Sequence, residues 1–141
     1  MGRAISFVVY GNPIPQGRPR FSTVNGYARA YDPDKSRNYK ETVKIMAKKE
    51  MAGAPPLEGA LILSIKIFRS IPKSWNKKKT EDAIYGRIFP TTKPDIKNYI
   101  AGIEDAMIGT VYADDSQIIE YRYCLKAYSE QPRVEINVKE M

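Results

Sequence analysis

Histidine is absent from this 141-residue chain, and cysteine occurs once, as Cys124. Without histidine the chain lacks Ser-His-Asp and Cys-His catalytic groups, HExxH metalloprotease sites and zinc fingers. A single cysteine also excludes an internal disulfide framework and a cysteine zinc cluster. Any catalysis must therefore rest on carboxylates, lysine, hydroxyl groups or a metal ion held by oxygen ligands.

Long apolar runs are missing as well. No stretch approaches the roughly 18 residues that a membrane-spanning helix needs, and the opening residues, MGRAISFVVYG, lack the cleavage region of a signal peptide. We therefore expect a cytoplasmic protein without membrane contact. Hydrophobic residues make up 43% of the chain and charged residues 28%, which predicts a folded core in a single domain over residues 1–141.

The positive charge of the chain is unevenly distributed. Lysine and arginine outnumber aspartate and glutamate by 23 to 16. Residues 1–50 hold ten basic and four acidic side chains, residues 51–93 hold eight and three, and residues 94–141 hold five and nine. Such a basic excess over two-thirds of the chain indicates a polyanionic partner such as nucleic acid, although basic residues also keep small proteins soluble.

Apolar spacing and turn signals predict an α+β fold. A short hairpin is expected around Asn25-Gly26, because Asn-Gly suits a tight hairpin turn. The elements form a single domain in which α-helices cover a mixed or antiparallel β-sheet. We expect strands over 4–10, 60–69, 117–128 and 133–140, and helices from Asp34 or Ser36 to Met51, over 75–85 with Ser74 as its cap, and from Pro94 to Met107.

Four aspartates fall within 21 residues of the carboxyl-terminal third: Asp95, Asp105, Asp114 and Asp115. In a helix that begins at Pro94, the first two lie on the polar side, away from an apolar row that faces the core. The other two precede a strand. Oxygen ligands without histidine or cysteine suit Mg²⁺ or Mn²⁺. Aspartate is also common at helix starts and in turns, so spacing alone leaves both interpretations open.

Two basic segments are candidates for contacts with phosphate. Arg18 and Arg20 lie in a proline-rich loop, and a rigidly held guanidinium group clamps phosphate well. The second segment holds Lys73, Lys77, Lys78 and Lys79 near Trp75. Each segment is also consistent with an ordinary solvated surface.

Aromatic residues beside these arginines are candidates for stacking on bases. Phe21 and Tyr27 are the better candidates, because they lie close to Arg18 and Arg20 in the sequence. Most tyrosines, among them Tyr10, Tyr121 and Tyr123, fall in predicted strands or helices and are expected in the core or in an interface.

Three blocks of this sequence, in the same order, resemble the RusA family of Holliday-junction resolvases, small endonucleases common in prophages. GNPIPQGRPRF, from Gly11 to Phe21, is similar to the family's Gly-x-Pro-x-x-x-Gly-Arg-Pro-Arg-Phe signature. IPKSWNKKK, from Ile71 to Lys79, resembles the start of its basic helix. KPDIKNYIAGIEDAM followed by YADDSQI is similar to its Lys-Pro-Asp-x-Asp-Asn, Asp-Ala and Asp-Asp-Ser-Gln-Ile pattern.

The resemblance implies a RusA-like homodimer that binds branched DNA and resolves four-way junctions in recombination and repair. It implies Mg²⁺-dependent or Mn²⁺-dependent hydrolysis of phosphodiester bonds, and a two-fold dimer suits symmetric nicking of two strands. By position in the motif, Asp95 and Asp115 match catalytic, metal-binding aspartates. Asp105 is a further catalytic candidate and Asp114 a further metal ligand. The expected DNA contacts are Arg18, Arg20, Lys73, Lys77, Lys78, Lys79 and Lys97.

Two positions depart from the family's pattern. Lys97 stands where the family has its second aspartate, and Ala101 where it has a catalytic lysine. An ammonium group cannot ligate a cation, and its charge opposes one near Asp95. Lys97 lies one helical turn from Ala101, so it is able to reach the region of the missing lysine. Asp105, Asp114 or Glu104 are candidates to replace the missing ligand.

These departures leave a second interpretation open. A junction-binding protein of the same fold with impaired or absent catalysis fits them too, whether it is a degenerate prophage copy or an engineered variant. A third interpretation is a general basic DNA- or RNA-binding module, which would not prefer branched over linear duplex.

Overall fold

The computed structural model describes residues 2–17, 20–24, 26–31 and 34–141, with the backbone alone for 20–24 and 27–31. In chain order the elements are β1 (Ala4–Tyr10), β2 (Arg20–Val24), β3 (Tyr27–Tyr31), α1 (Asp34–Met51), β4 (Leu61–Ser70), α2 (Lys77–Ile84), α3 (Ile96–Met107), one turn of 3₁₀-helix (Asp115–Gln117), β5 (Ile118–Tyr121), β6 (Leu125–Ser129) and β7 (Arg133–Glu140).

The main sheet is mixed and is built around β4. Its strand order is β1-β7-β4-β5, and β6 also pairs with β4 beyond β5. β7 is antiparallel to both β1 and β4, whereas β5 and β6 run parallel to β4. β2 and β3 form a separate antiparallel hairpin whose register joins Val24 to Tyr27, as the Asn-Gly dipeptide predicts. The predicted α+β fold with a mixed sheet is confirmed.

One face of this sheet carries the hydrophobic core. Alternate side chains of β1, β4 and β7 point to this face, as the two-residue period of a strand requires, and α1 and α3 pack over them. The apolar row predicted on α3 is confirmed, and α1 carries a row of its own. The most deeply buried residues of these two helices and β4 are Val43 and Ala47 on α1, Tyr99, Ile103, Ala106 and Met107 on α3, and Leu61, Leu63, Ile65 and Ile67 on β4.

No helix in the described part of the chain combines the length and the apolar character needed to cross a lipid bilayer.

The strand expected over residues 117–128 is divided into β5 and β6. Tyr123 has a φ of 66°, in the left-handed region, and this breaks the extended backbone. The N–H of Arg122 donates to the carbonyl oxygen of Leu63 at 2.9 Å, and the hydroxyl of Ser64 donates to the carbonyl oxygen of Tyr123 at 3.3 Å. The regular pairing with β4 is therefore interrupted over residues 122–124 and resumes at Leu125.

Two helices begin later than their sequence signals predict. α2 begins at Lys77, because Asn76 and not Ser74 caps it by accepting the N–H of Lys79 at 2.9 Å. α3 begins at Ile96, after a cis peptide bond that precedes Pro94. α1 begins at Asp34, which is one of the two predicted starts.

Removing a buried side chain from β4 is expected to destabilise the fold strongly. Ile65 is 0% exposed, so Ile65→Ala should lower the free energy of unfolding by about 2–5 kcal/mol through lost burial and a cavity. Ile119→Ala on β5 is the matched control, because Ile119 is 57% exposed and its loss should change stability by only about 0.5 kcal/mol. Urea unfolding followed by circular dichroism measures both, and equal losses would contradict the assigned core.

Candidate active site

Two basic side chains of the sheet hold the segment that leads into α3. The guanidinium of Arg69 on β4 and the ammonium group of Lys126 on β6 donate hydrogen bonds of 3.0–3.4 Å to the carbonyl oxygens of residues 92–94. The next residue is Asp95, which occupies the N-cap of α3 but makes no side-chain capping bond. Its carboxylate is therefore exposed and not used to close the first turn of the helix.

One face of α3 carries the two positions that depart from the expected pattern. Lys97, Ala101 and Glu104 are spaced by four and then three residues, so they form one row along the helix. Lys97 and Ala101 are exposed, whereas Glu104 is half-buried. The lysine and the glutamate therefore lie at opposite ends of a short row that has a small side chain between them.

Glu104 is held by two tyrosines. The hydroxyl of Tyr121 on β5 donates to Glu104 Oε2 at 2.6 Å, and the hydroxyl of Tyr112 donates to the Glu104 carbonyl oxygen at 2.7 Å. Partial burial raises the pKa of the Glu104 carboxyl, and the negative charge of Asp115 raises it further, against the opposing effect of the Tyr121 hydrogen bond. The fold therefore orients this carboxylate, and its surroundings disfavour the ionised form; we call this its electrostatic strain.

Asp114 and Asp115 lie in a turn with a defined internal structure. Asp114 Oδ1 accepts the N–H of Ser116 at 3.0 Å, and Gln117 Oε1 accepts the N–H groups of Ala113 and Asp114 at 3.0 Å. This is the reciprocal arrangement of a capping box. The Gln117 amide also donates to carbonyl oxygens of the 57–59 loop, so the turn is anchored to the start of β4.

The two neighbouring aspartates have opposite pKa shifts. The backbone N–H of Ser116, followed by a hydrogen bond with Asp115, lowers the pKa of the Asp114 carboxyl. That shared hydrogen bond, partial desolvation and the charges of Asp114 and Asp105 raise the pKa of Asp115. Asp114 is therefore the more readily ionised of the two carboxyls, and a cation near Asp115 would offset the repulsion between them.

Asp105 is occupied by a different contact. Its carboxylate accepts from the ammonium group of Lys40 on α1 at 2.9 Å, and the Lys40 side chain is only 14% exposed. The ion pair joins α1 to α3. Asp105 therefore acts on Asp115 through its charge, while its carboxylate is bonded to a neighbouring helix.

The described side chains bring some of the predicted site residues together and separate others. Asp115 shares a hydrogen bond with Asp114 and interacts electrostatically with Glu104, and the charge of Asp105 also acts on Asp115. Asp95 lies at the other end of α3, about 13 Å of helical rise from Glu104. Among the described residues, no three His, Cys, Asp or Glu side chains form a group that could hold a metal ion. A metal shared by Asp95 and Asp115 stays a prediction.

The proline-rich segment before Arg18 packs on α3. The N–H of Gln16 donates to the Asn98 carbonyl oxygen at 2.9 Å, and the N–H of Gly17 donates to the Ser36 hydroxyl at 3.0 Å. The segment also passes close to Gly102, where a Cβ would lie 3.4 Å from the Gln16 backbone nitrogen, in van der Waals contact. The segment is therefore held between the amino-terminal parts of α1 and α3.

The predicted arginine contacts lie beyond what the structure describes. Arg18 is outside the described residues, and Arg20 belongs to β2, which is described by its backbone alone. The same holds for the rings of Phe21 and Tyr27. Contacts from these four side chains to DNA stay predictions.

The second basic segment surrounds the start of α2. Lys73 and the three lysines 77–79 are exposed. The Lys79 ammonium lies 4.1 Å from the centre of the Trp75 ring, which packs edge-on against Tyr128 at 5.1 Å. Trp75 therefore anchors α2 to β6 and supports the lysines.

Sequence patterns alone did not identify Arg69, Lys126 and Tyr121 as parts of this site. The two basic residues belong to strands and act through carbonyl oxygens that are distant in the chain. Tyr121, Tyr10 and Tyr123 were expected in the core or in an interface. They do not lie in the core, because they are 54%, 63% and 75% exposed. Glu104 was already a candidate ligand, and its spacing from Lys97 and Ala101 places it on the same row of α3.

Comparisons with known proteins give a consistent result. The sequence profile of the family described as Endodeoxyribonuclease RusA matches residues 10–139. The chain is also 42% identical over 139 residues to "Uncharacterized protein YqaN" of Bacillus subtilis (strain 168), a match that covers 97% of this chain and 96% of that protein. The family resemblance of the three sequence blocks is thereby confirmed.

Neutralising Glu104 should stabilise the protein in a pH-dependent way. Because the folded-state pKa of Glu104 is raised, its contribution to stability is present below the unfolded pKa of about 4.3 and is lost as pH rises through the folded pKa. Glu104→Gln keeps an acceptor for Tyr121 but removes the charge. Its melting temperature should exceed that of the parent near pH 7.5, and the difference should shrink near pH 4.

The control for this measurement is Glu130→Gln, at an exposed position in the β6–β7 connection. It should leave the melting temperature unchanged at both pH values. A Glu104→Gln protein that melts below the parent near pH 7.5 would contradict the electrostatic strain assigned to this carboxylate.

Proposed function

This chain belongs to the RusA family of endodeoxyribonucleases, and we propose that it is a Holliday-junction resolvase that cuts four-way DNA junctions in recombination and repair. The observation that carries the proposal is the electrostatic interaction of Asp115 with Glu104. These carboxyl groups come from different elements, the 114–115 turn and α3, and the charge of Asp115 helps to raise the pKa of Glu104. Repelling carboxylates of raised pKa are typical of sites that work on a charged substrate through a cation or a proton.

DNA is the proposed substrate because of where the basic residues lie. The exposed lysines at 73 and 77–79 and the arginine-bearing segment that follows Gly17 supply cations, whereas the carboxylates of the candidate site lie on α3 and at residues 114–115. Basic side chains bind phosphates of the backbone without reading sequence. A surface of this kind holds the junction while the acidic region meets one phosphate.

Mg²⁺ or Mn²⁺ is the proposed cofactor, and the donor set fits it. Such ions are commonly bound through one or two carboxylates together with substrate phosphate oxygens. Asp115 and Glu104 would hold the ion and Asp114 would support the turn, while Asp95 remains a further ligand predicted by the family motif. When bound, the ion offsets charge on the scissile phosphate and lowers the pKa of a water molecule.

The side chains of this protein orient that site. Tyr121 directs the Glu104 carboxylate, and partial burial with the nearby Glu104 charge raises the pKa of the Tyr121 hydroxyl, so it stays protonated and donates. Gln117 and Asp114 hold the turn that carries Asp115. Lys40 keeps Asp105 on the α1 side of the helix.

A homodimer is part of the proposal. Resolving a four-way junction requires two symmetric nicks, and a two-fold dimer supplies two equivalent sites. Both nicks then occur within one bound complex.

Cleavage of a supercoiled plasmid that extrudes a cruciform tests the proposal. With Mg²⁺ or Mn²⁺, the protein should convert it to linear DNA, because paired nicks within one complex linearise the plasmid. Asp115→Asn should slow this by about 100-fold, since even partners of metal ligands contribute 10–100-fold. Glu130→Gln is the surface control. Nicked circles alone would contradict the dimer, and equal cleavage by Asp115→Asn would contradict the site.

A junction-binding protein with impaired catalysis is the second candidate. The exposed Lys97 and Ala101 favour it, because they replace a family aspartate and a family lysine on the row that ends at Glu104. An ammonium group beside a cation site weakens cation binding. This candidate predicts that the protein binds junctions tightly while cutting them slowly.

Restoring the family residues should raise cleavage. Lys97→Asp should increase Mg²⁺-dependent cleavage of a labelled junction roughly tenfold or more, and adding Ala101→Lys should increase it further by placing a cation near the reacting phosphate. Lys48→Asp on α1 is the control for the change in charge. Junction affinity, measured alongside, should stay level or fall slightly. Full cleavage by the parent, unchanged in Lys97→Asp, would mean that position 97 has no part in the site.

A further inference from the structure

An exposed apolar patch follows α2 and has no role in the site described above. Tyr85 is 70% exposed, Phe89 54% and Ile84 38%. We call residues 84–89 the aromatic turn. Two large rings left in water within five residues are unfavourable for an isolated protein, so they indicate a contact surface.

The exposure of these rings is built into the backbone. The N–H groups of Arg87 and Ile88 both donate to the Asp82 carbonyl oxygen, at 2.8 and 3.3 Å, and Gly86 takes a left-handed φ of 69°. Ala83 before the turn and Pro90 after it are buried. The turn is therefore anchored at both ends, and Tyr85 and Phe89 are held outward by its shape.

The surroundings of the aromatic turn are cationic. Residues 73–93 contain six basic and two acidic side chains. One of the acids, Asp82, is already paired with Lys78 at 2.9 Å and with Arg87 at 3.1 Å. These ion pairs lower the pKa of the Asp82 carboxyl, so it stays ionised and keeps both cations in place. An apolar surface ringed by positive charge matches a ligand with flat apolar faces and a negative backbone.

Arg87 also shapes the tyrosine surface. Its guanidinium carbon lies 5.2 Å from the centre of the Tyr85 ring, in cation–π contact. A cation on one face of the ring leaves the other face for a second planar group. The positive charge of Arg87 would also attract a phosphate attached to that planar group.

We propose that Tyr85 and Phe89 stack on unpaired bases at the branch point of a DNA junction, while the lysines of α2 bind the adjoining phosphates. Aromatic stacking accepts any base, since every base has a π face, and each ring contributes roughly 5- to 100-fold to affinity. The inference rests on the proposed function, because it takes a junction as the ligand. It adds a contact that favours open bases over paired duplex.

The test compares a four-way junction with a linear duplex of the same sequence, with 2-aminopurine at the branch point. Tyr85→Ala and Phe89→Ala should each weaken junction binding at least fivefold, leave duplex binding within about twofold, and reduce the change in 2-aminopurine fluorescence on binding. Phe89→Trp should retain affinity because it keeps a ring. Phe89→Leu should behave like Phe89→Ala, although it keeps most of the apolar bulk.

Ile45→Ala is the matched control, since Ile45 is 56% exposed on α1, outside the aromatic turn. Thermal melts establish that each variant is folded. A parent protein that binds junction and duplex equally would count against the proposed function itself. A parent that prefers the junction, with unchanged affinity in both alanine variants or with Phe89→Leu equal to the parent, would overturn the stacking proposal and leave the patch to a protein partner.

Discussion

The packing of α3 on β4 is the contact on which the rest of the molecule depends. Tyr99, Ile103 and Met107 are buried against the face of the sheet to which Ile65 and Ile67 belong. Because a helix has one rotational setting once its apolar row is buried, this contact also decides where its polar residues point. The row that ends at Glu104 faces β5, and Asp105 faces α1. The burial of the apolar row of α3 therefore sets the positions of the carboxylates in the candidate site.

The acidic residues of this region differ in how far the fold already uses them. Asp105 is paired with Lys40, and Asp114 caps the turn of 3₁₀-helix, so both have partners within the chain. Asp115 and Glu104 instead have raised pKa values: for Asp115 the main cause is the hydrogen bond shared with Asp114, and for Glu104 it is partial burial, with like charges adding to both. Such strain is tolerated where the remaining contacts over-determine the structure, here through Tyr121 and the capping box. The fold thus uses Asp105 and Asp114 for structural contacts and leaves Asp115 and Glu104 as the carboxylates with strained charges.

Local patterns predicted most of the elements because each one carries its own signals. The strand β7, the helix α1 from Asp34 and the Asn-Gly hairpin all follow from periodicity, a capping residue or a turn dipeptide. The division of the strand at Tyr123 had no such signal, since tyrosine is a strand former and only the hydrogen bonds to β4 impose its left-handed backbone. At the start of α2 the sequence offers two capping residues, and Asn76 rather than Ser74 makes the bond to the N–H of Lys79.

The sequence by itself determined the fold class, the family, the charge asymmetry and the set of carboxylates from which a site is built, because these depend on composition and on spacing along the chain. Tertiary structure alone decided how those carboxylates are used. The partnership of Glu104 with Tyr121, the ion pair of Asp105 and the support of residues 92–94 by Arg69 join groups that lie 17 or more residues apart. Such contacts depend on strand order and on which elements pack beside α3, and no local pattern encodes either one.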